Sequence, residues 1–468
     1  MMYRPRLPSR GALVFLILVF AAGALHWVFF LSQGNMTFKP HDWVKEYTYY
    51  SILKEAMESG RIPLHTSVVF QETRRFLALP EVNMSPQVLL LPLMNVGTFV
   101  LVNTLIMYAV GFAGCLMIRS RYGLSPVAFA VLFMLFNFNG HLTAHMGVGH
   151  SMWTAYFLLP FFFLYTVDIT AGKDREWSAI KLGFILFLMI LQGGFHMFAW
   201  SVAFLALLLI FNWKLWKPVI YAALSGLLLS AFRLIPAAFA LAGKKEKFIW
   251  SYPTLHDLLD ALVTIRQHTP ERLKPWGTAG WWEYDMYVGV LGLAIIAYFG
   301  IYLRFRKRPD LDDCRFKALD LPILTLAALS TSYFHAFLTR IPLPLIRSQR
   351  VAARFIIIPV VFLVFLAAIR LQRVMGTARR SVRFYVAAVI GLAVMALSFV
   401  DHSFIWSVAR LQRIYRDKVV DLSVPDIISV QDSSYTGMLV LGGIISLVSL
   451  AAMVYLALRR RKPSPAGG

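Results

Sequence analysis

Long apolar runs recur along this chain from Gly11 to Leu458, each broken by a short polar or charged stretch. A helix needs roughly 20 apolar residues to cross a bilayer core. Runs of that kind predict spans at 11–31, 88–118, 124–139, 151–167, 182–194, 196–211, 218–241, 287–303, 318–338, 355–369, 384–400 and 437–458. The expected fold is therefore an all-α integral membrane protein. It is a polytopic helical bundle of about 12 transmembrane helices forming a single transmembrane domain over 1–468. The segments between 182 and 211 are short and meet at Gly193-Gly194, which suggests a hairpin. Pro86 and Pro92 suggest a membrane-surface helix ahead of the second span.

Composition agrees with this pattern: 58% of residues are hydrophobic, 15% are charged, and the mean hydropathy is +0.64. A soluble domain carries more charge. The apolar run after Arg4, Arg6 and Arg10 continues through Leu31, too long for a secretory signal core, so the first span is expected to stay uncleaved. Two cysteines, Cys115 and Cys314, make no disulfide framework and are read as structurally incidental.

A net charge of +22 would suit a nucleic-acid binder, but topology explains it better. An even number of spans puts both termini on one side. The loops and tails of that side hold 25 of the 46 Lys and Arg residues, at nearly three times the density of the opposite side. The positive-inside rule then makes the N- and C-termini cytoplasmic and the other face extracytoplasmic, and the poverty in cysteine points to a prokaryotic plasma membrane. Three large outer loops follow, 32–87, 242–286 and 401–436, with short amphipathic helices expected in them, and the tail 463–468 is expected to be disordered. Ten of the eleven histidines and 17 of the 24 acidic residues fall on the outer side. Those are the usual acid–base and metal-binding groups, so chemistry is expected at that face.

Four constellations there carry candidate chemistry. In the first loop, Asp42 and Glu46 are i,i+4 within an aromatic patch that includes Tyr47, and two such carboxylates near apolar walls split their pKa values. Asp42 also fits a helix N-cap. His141, His145 and His150 follow Asn139-Gly140, suiting substrate hydrogen bonding or, less well, a metal. Arg347, Arg350 and Arg354 are spaced three and four apart, so a helix would present three guanidinium forks to a lipid phosphate or diphosphate. Glu283, Tyr284 and Asp285 lie in an aromatic run that suits sugar recognition or an interfacial belt. Arg233, inside the seventh run, is expected to face an internal cavity.

Ordered landmarks then add a resemblance. They are Asp42 soon after the first span, a tyrosine-rich helix (Tyr47, Tyr49, Tyr50), Ser59-Gly60-Arg61-Ile62-Pro63, Pro86 with Leu89-Leu90-Leu91-Pro92, Asn139-Gly140-His141, Gly149-His150, Glu283-Tyr284 with Tyr287-Val288-Gly289, and Arg350 with Arg354-Phe355. In their order and topology the chain resembles the YfhO-like branch of the GT-C superfamily, membrane glycosyltransferases that take sugars from polyprenyl-phosphate carriers. The resemblance implies a GT-C-like bundle that transfers a sugar to a glycan, lipid or protein acceptor in cell-envelope glycan biosynthesis. Asp42 would be the catalytic base, and the arginines opening the tenth span would hold the carrier phosphate. A divalent cation, Mg or Mn, would replace or assist them; no other cofactor and no nucleic acid is expected. The chain is shorter than typical YfhO proteins, and its late loop is small. Two rivals remain: a lipid-linked glycan ligase or polymerase, and a non-enzymatic 12-helix lipid or sugar transporter.

Overall fold

The computed structural model describes residues 9–240, 250–266, 280–306, 316–334, 351–377 and 382–461. Arg347, Arg350, Cys314 and the tail 463–468 lie outside the described residues. Most of the rest is helical. Seven helical stretches are long and apolar enough to cross a membrane, and an eighth is added if a pair bent by 74° counts as one span. The protein is a helical membrane protein.

The helices follow the apolar runs. The first is α1 (Arg10–Phe30). A partly sunken helix, α2 (Trp43–Glu58), follows it. α3 (Val96–Tyr122) starts where Asn95 accepts from the Thr98 amide and ends at Gly123, whose φ of 64° releases the chain from the helix. The second span thus begins eight residues later than the hydropathy suggests. Pro86 and Pro92 hold Pro86–Leu93 as a 3₁₀ segment instead, with Leu89 and Leu93 exposed. α4 (Pro126–Asn137) and α5 (Gly140–Gly147) form one interrupted span, broken where Asn139 caps α5 by accepting from the His141 amide at 2.9 Å. α6 (Leu159–Thr170), α7 (Arg175–Leu191) and α8 (Phe195–Phe211) follow, with the expected hairpin at Gly193-Gly194. α9 (Trp216–Leu229) and α10 (Ala231–Ala240) form the bent pair, and α11 (Leu255–Val263) lies in a loop.

α12 (Gly289–Ile295) runs into a π-helical stretch, Ile296–Tyr302. After α13 (Lys317–Leu329), α14 (Ile357–Thr377) forms the core of the bundle, in a span 94% buried. α15 (Val382–Trp406) and α17 (Ser433–Arg461) are largely open on the periphery, and the short α16 (Val408–Ile414) lies between them. Arg370, one residue beyond the span expected at 355–369, is buried inside α14. Its guanidinium donates to the Phe299 and Gly300 carbonyls of the π-helical stretch, which satisfies a cation that hydrocarbon would otherwise reject.

At the end of the bundle away from the termini, two loops distant in sequence are woven together. Beyond the expected short helices, they form a three-stranded sheet in the order β2-β1-β3. β1 (His65–Phe70) and β2 (Thr73–Arg75) make a hairpin whose turn residues Gln71 and Glu72 both have left-handed φ, while β3 (Ile427–Ile428) pairs with His65 and Thr66. Asp432 ties the two loops, accepting from Arg75 Nε at 2.8 Å and from the Tyr435 amide at the start of α17.

Arg233, expected to face an internal cavity, is buried against the backbone of the first loop. Its guanidinium donates to the Leu77, Leu79 and Val82 carbonyls at 2.9, 2.6 and 2.9 Å, so it buckles the first loop onto α10. The loop's backbone turns back on itself there and leaves three carbonyls facing inward, and a buried cation in apolar surroundings needs such acceptors. Arg233→Met is expected to strand them at a cost of at least ~3 kcal/mol. Limited proteolysis should then cut within residues 71–95 faster than in the native protein, and equal cutting rates would refute this role.

Candidate functional site

The site grows from the seam between the first loop and α5. The Asp42 amide donates to the Val148 carbonyl at 3.0 Å, and Trp43 Nε1 donates to the Gly147 carbonyl at 2.9 Å. Gly149 makes the approach possible. Its φ is +98°, and a Cβ there would stand 2.4 Å from the Trp43 nitrogen. Gly193 does the same for the far end of the loop, where a Cβ would stand 2.3 Å from the Glu81 carbonyl oxygen.

The seam places a row of charged groups. Asp42 stands just before α2, but its carboxyl makes no capping hydrogen bond. It turns to His150 Nε2 at 3.3 Å and Lys45 Nζ at 3.3 Å. Lys45 also reaches Glu81 Oε2 at 2.8 Å. Asp42 is the open member, with 47% of its side chain exposed, while Lys45 and Glu81 lie deeper. Burial alone would raise the Asp42 pKa, but the hydrogen bond and charge of His150, and then Lys45, hold it well below the usual carboxylate range. Burial also opposes ionisation of Glu81, yet Lys45 brings its carboxyl down to about 2.

Glu46, one turn on, behaves in the opposite way. It is buried, and one carboxyl oxygen bonds the Ser151 hydroxyl, which lies 2.7 Å from Tyr50 Oη. Burial pushes its pKa up to about 8, against the pull of Lys45 and the Ser151 hydrogen bond. The expected split between the two carboxylates is present, with Glu46 as the group that holds its proton near neutral pH.

The histidines lie inward of this row, all three buried. His145 Nδ1 donates to the His141 carbonyl at 2.8 Å, and its ring stacks on Trp153 with centroids 4.2 Å apart. Its Nε2 faces Glu283 Oε2 at 3.5 Å. The His141 ring lies 4.3 Å from that of His145, and among the described residues neither of its ring nitrogens has a partner. His196 stacks on Trp200, its centroid 5.8 Å from that of Trp153. Among the described residues, no group of three or more His, Cys, Asp and Glu side chains converges to hold a metal.

Arg354 and Glu283 form a forked ion pair, Nε to Oε2 and Nη2 to Oε1 both at 2.7 Å, with the guanidinium over Trp153. Both are buried. Burial opposes ionisation of Glu283, and Arg354, then His145, holds its carboxyl well below the usual range. Arg354 was expected to present its fork to a phosphate. That face is filled by a carboxylate, because at this depth each charge needs its opposite. Arg347 and Arg350 lie outside the described residues.

The other expected residues are placed elsewhere. Asp285 is buried, accepting from His402 Nε2 and Trp406 Nε1 at 2.9 and 2.8 Å, where it joins α15 to the start of α12. Tyr284 is buried, with its carbonyl accepting from Tyr252 Oη at 2.7 Å. These two are buried in packing contacts away from the open row, whereas Trp282 of the same run is half-buried beside His41, ring centroids 4.5 Å apart. Tyr47 packs on Phe38, beside the row. The late loop reaches the same place, with Tyr415 Oη 3.1 Å from His41 Nε2 and Lys39 Nζ donating to the Arg416 carbonyl. Two lateral grooves of about 320 and 340 Å³ are lined mainly by apolar side chains, and neither includes a residue of the row.

Lys45, Glu81, Ser151, Trp153 and His196 were not anticipated. Lys45 had a signal, three residues after Asp42 on a helix. Glu81 had none, since only the folded loop brings it near. Comparison with protein families, curated proteins and solved structures gives no match.

Two predictions follow from these charges. The folded protein holds the Glu46 proton up to about pH 8, above the ordinary carboxylate value of 4.5. Between those values it binds more protons than the unfolded chain, so stability falls as pH rises. Glu46→Gln is expected to flatten the decline in melting temperature across that window, and an unchanged slope would refute the assignment. Glu283→Gln is expected to strand Arg354 and cost roughly 3–5 kcal/mol, while Glu283→Leu with Arg354→Met recovers much of it. Melting temperatures of the native protein and the two variants in detergent test this, and a double variant no better than the single one would count against the pair being structural.

Proposed function

We propose that this protein is a membrane glycosyltransferase of GT-C-like architecture with about twelve spans and cytoplasmic termini. It moves a sugar from a polyprenyl-phosphate carrier to an acceptor hydroxyl at the extracytoplasmic face. The observation that carries the reading is Asp42: an ionised carboxylate, half open, at the mouth of a polar cluster inside a helical membrane protein.

The chemistry suits that geometry. The acceptor oxygen bonds the anomeric carbon, the bond from that carbon to the phosphate oxygen breaks, and the phosphate leaves with the electron pair. The acceptor proton passes to Asp42. A carboxylate so acidic is a weak base, yet it is ionised at any working pH. That is enough when the transition state is oxocarbenium-like and the acceptor hydroxyl grows acidic only as bonding proceeds. Glu46, His141, His145 and His150 lie buried inward of Asp42 and on this reading would bond sugar hydroxyls. Holding the phosphate would fall to Arg347 and Arg350, because Arg354 is committed to Glu283.

One observation favours transport instead. From Glu46 a polar chain runs inward through Ser151, Tyr50 and Asn83 to Gln192, whose Oε1 lies 3.5 Å from Asn103 Nδ2 within α3. A buried titratable carboxyl heading such a chain is what proton-coupled carriage uses.

The purified protein should release sugar from a labelled polyprenyl-phosphate donor, and Asp42→Asn should slow release by ~10²-fold or more. Full activity in that variant would sink the assignment of the base. Turnover of diphosphate-linked oligosaccharides alone would favour the ligase or polymerase. Glu46-dependent proton uptake by proteoliposomes, without turnover of any donor, would favour the carrier.

A further inference from the structure

A divalent cation that replaced or assisted the arginines would need carboxylate ligands, and the carboxylates at the open face, Asp42 and Glu81, can be tested for fit. Two carboxylates, Asp42 and Glu81, approach one another at the mouth of the cluster. Between them stands the Lys45 ammonium, 3.3 Å from Asp42 Oδ2 and 2.8 Å from Glu81 Oε2. A magnesium ion needs oxygen ligands at ~2.0–2.1 Å in near-octahedral array. It would have to occupy the same space as the ammonium, against that positive charge. The other carboxylate on this face gives no help, since Glu46 is turned to Ser151 and buried. His150 directs its Nε2 to the same Asp42 oxygen as Lys45, a second positive or donating group where an ion would have to sit. The residues present do not fit a divalent ion.

We propose that Lys45 is the resident cation of this site, standing between Asp42 and Glu81 where a divalent ion would otherwise stand, so that the reaction at Asp42 needs no metal. A lysine ammonium is a compact point charge on a flexible stem, which suits it to bridge two carboxylates without fixed coordination geometry. Lys45 follows Asp42 by three residues on α2, so the helix presents both to the same side. Glu81 arrives from the far end of the loop, held by the close approach at Gly193 and by the Met84 amide on the Leu191 carbonyl. Lys45 is thus a positioning residue: it orients the Asp42 carboxylate and ties the two ends of the first loop across the site.

The part that concerns catalysis rests on the glycosyltransferase reading; the part that concerns cation occupancy does not. The experiment therefore has a binding arm. The full-length protein in detergent is titrated with Mn²⁺, and bound ion is read by electron paramagnetic resonance, for the native protein, Asp42→Asn, Lys45→Ala and Lys45→Ala with Asp42→Asn. The native protein and Asp42→Asn are expected to bind alike, with no Asp42-dependent site. Lys45→Ala is expected to gain one site that the double variant loses. Mn²⁺ bound by the native protein and lost in Asp42→Asn would overturn the proposal, and that comparison stands even where Lys45→Ala fails to fold. In the activity arm, donor turnover should survive a chelator, fall in Lys45→Ala and return in part in Lys45→Arg. Turnover abolished by the chelator and restored by Mn²⁺ would also overturn it.

Discussion

The contact on which the rest depends is the seam between the start of α2 and the end of α5. Two hydrogen bonds make it, the Asp42 amide to Val148 and the Trp43 indole to Gly147, and Gly149 gives it room. On its other side, Gly147 is pressed against the Trp406 carbonyl at the end of α15, where a Cβ would stand 2.3 Å away. A polar loop is thereby wedged into an apolar bundle at a fixed height. From that height Asp42 meets His150 and Glu46 meets Ser151, residues far apart in sequence.

The wedge also explains why two carboxylates one helical turn apart behave so differently. Both pay for burial. Asp42 faces a lysine, an imidazole and open space, whereas Glu46 faces two hydroxyls and apolar walls. Coulombic partners outweigh desolvation in the first case and fail to in the second. Deeper still, Glu283 and Arg354 hold their charges as a forked pair, with the guanidinium over Trp153. The polar groups thus grade from ionised and open at the mouth to paired and closed within.

Much of this was legible in the chain, and the unread part has a common cause. Periodicity and length locate the helices because lipid demands apolar runs. The kinship of Asp42, Glu46 and Lys45 follows from i,i+3 and i,i+4 spacing on α2. What spacing does not reveal is which partner a side chain meets across the fold. The arginine register at 347–354 suggests three forks for one anion, yet Arg354 is claimed by Glu283 some seventy residues upstream. Arg233 reads as a cavity residue because a cation in an apolar run needs acceptors, and the acceptors are carbonyls of a loop about 150 residues earlier. The sheet that joins the first and late loops is two residues long in β3, too short to leave a pattern.

The closed pair bears on where chemistry can take place. If Arg354 had been free, the natural place for a phosphate would be beneath Trp153, buried on every side. With its fork filled, the proposed carrier phosphate falls to Arg347 and Arg350, and the proposed carrier, with its long hydrocarbon tail, would keep its headgroup at the bilayer surface while the tail stays in lipid. On the proposed reading the inner charges act as scaffold: Glu283 and Arg354 cancel one another, brace Trp153 and the His145 ring stacked on it, and so set the floor of the site. On the same reading the mouth, where Lys45 stands between two carboxylates and Asp42 stays half open, is where a proton would leave an acceptor.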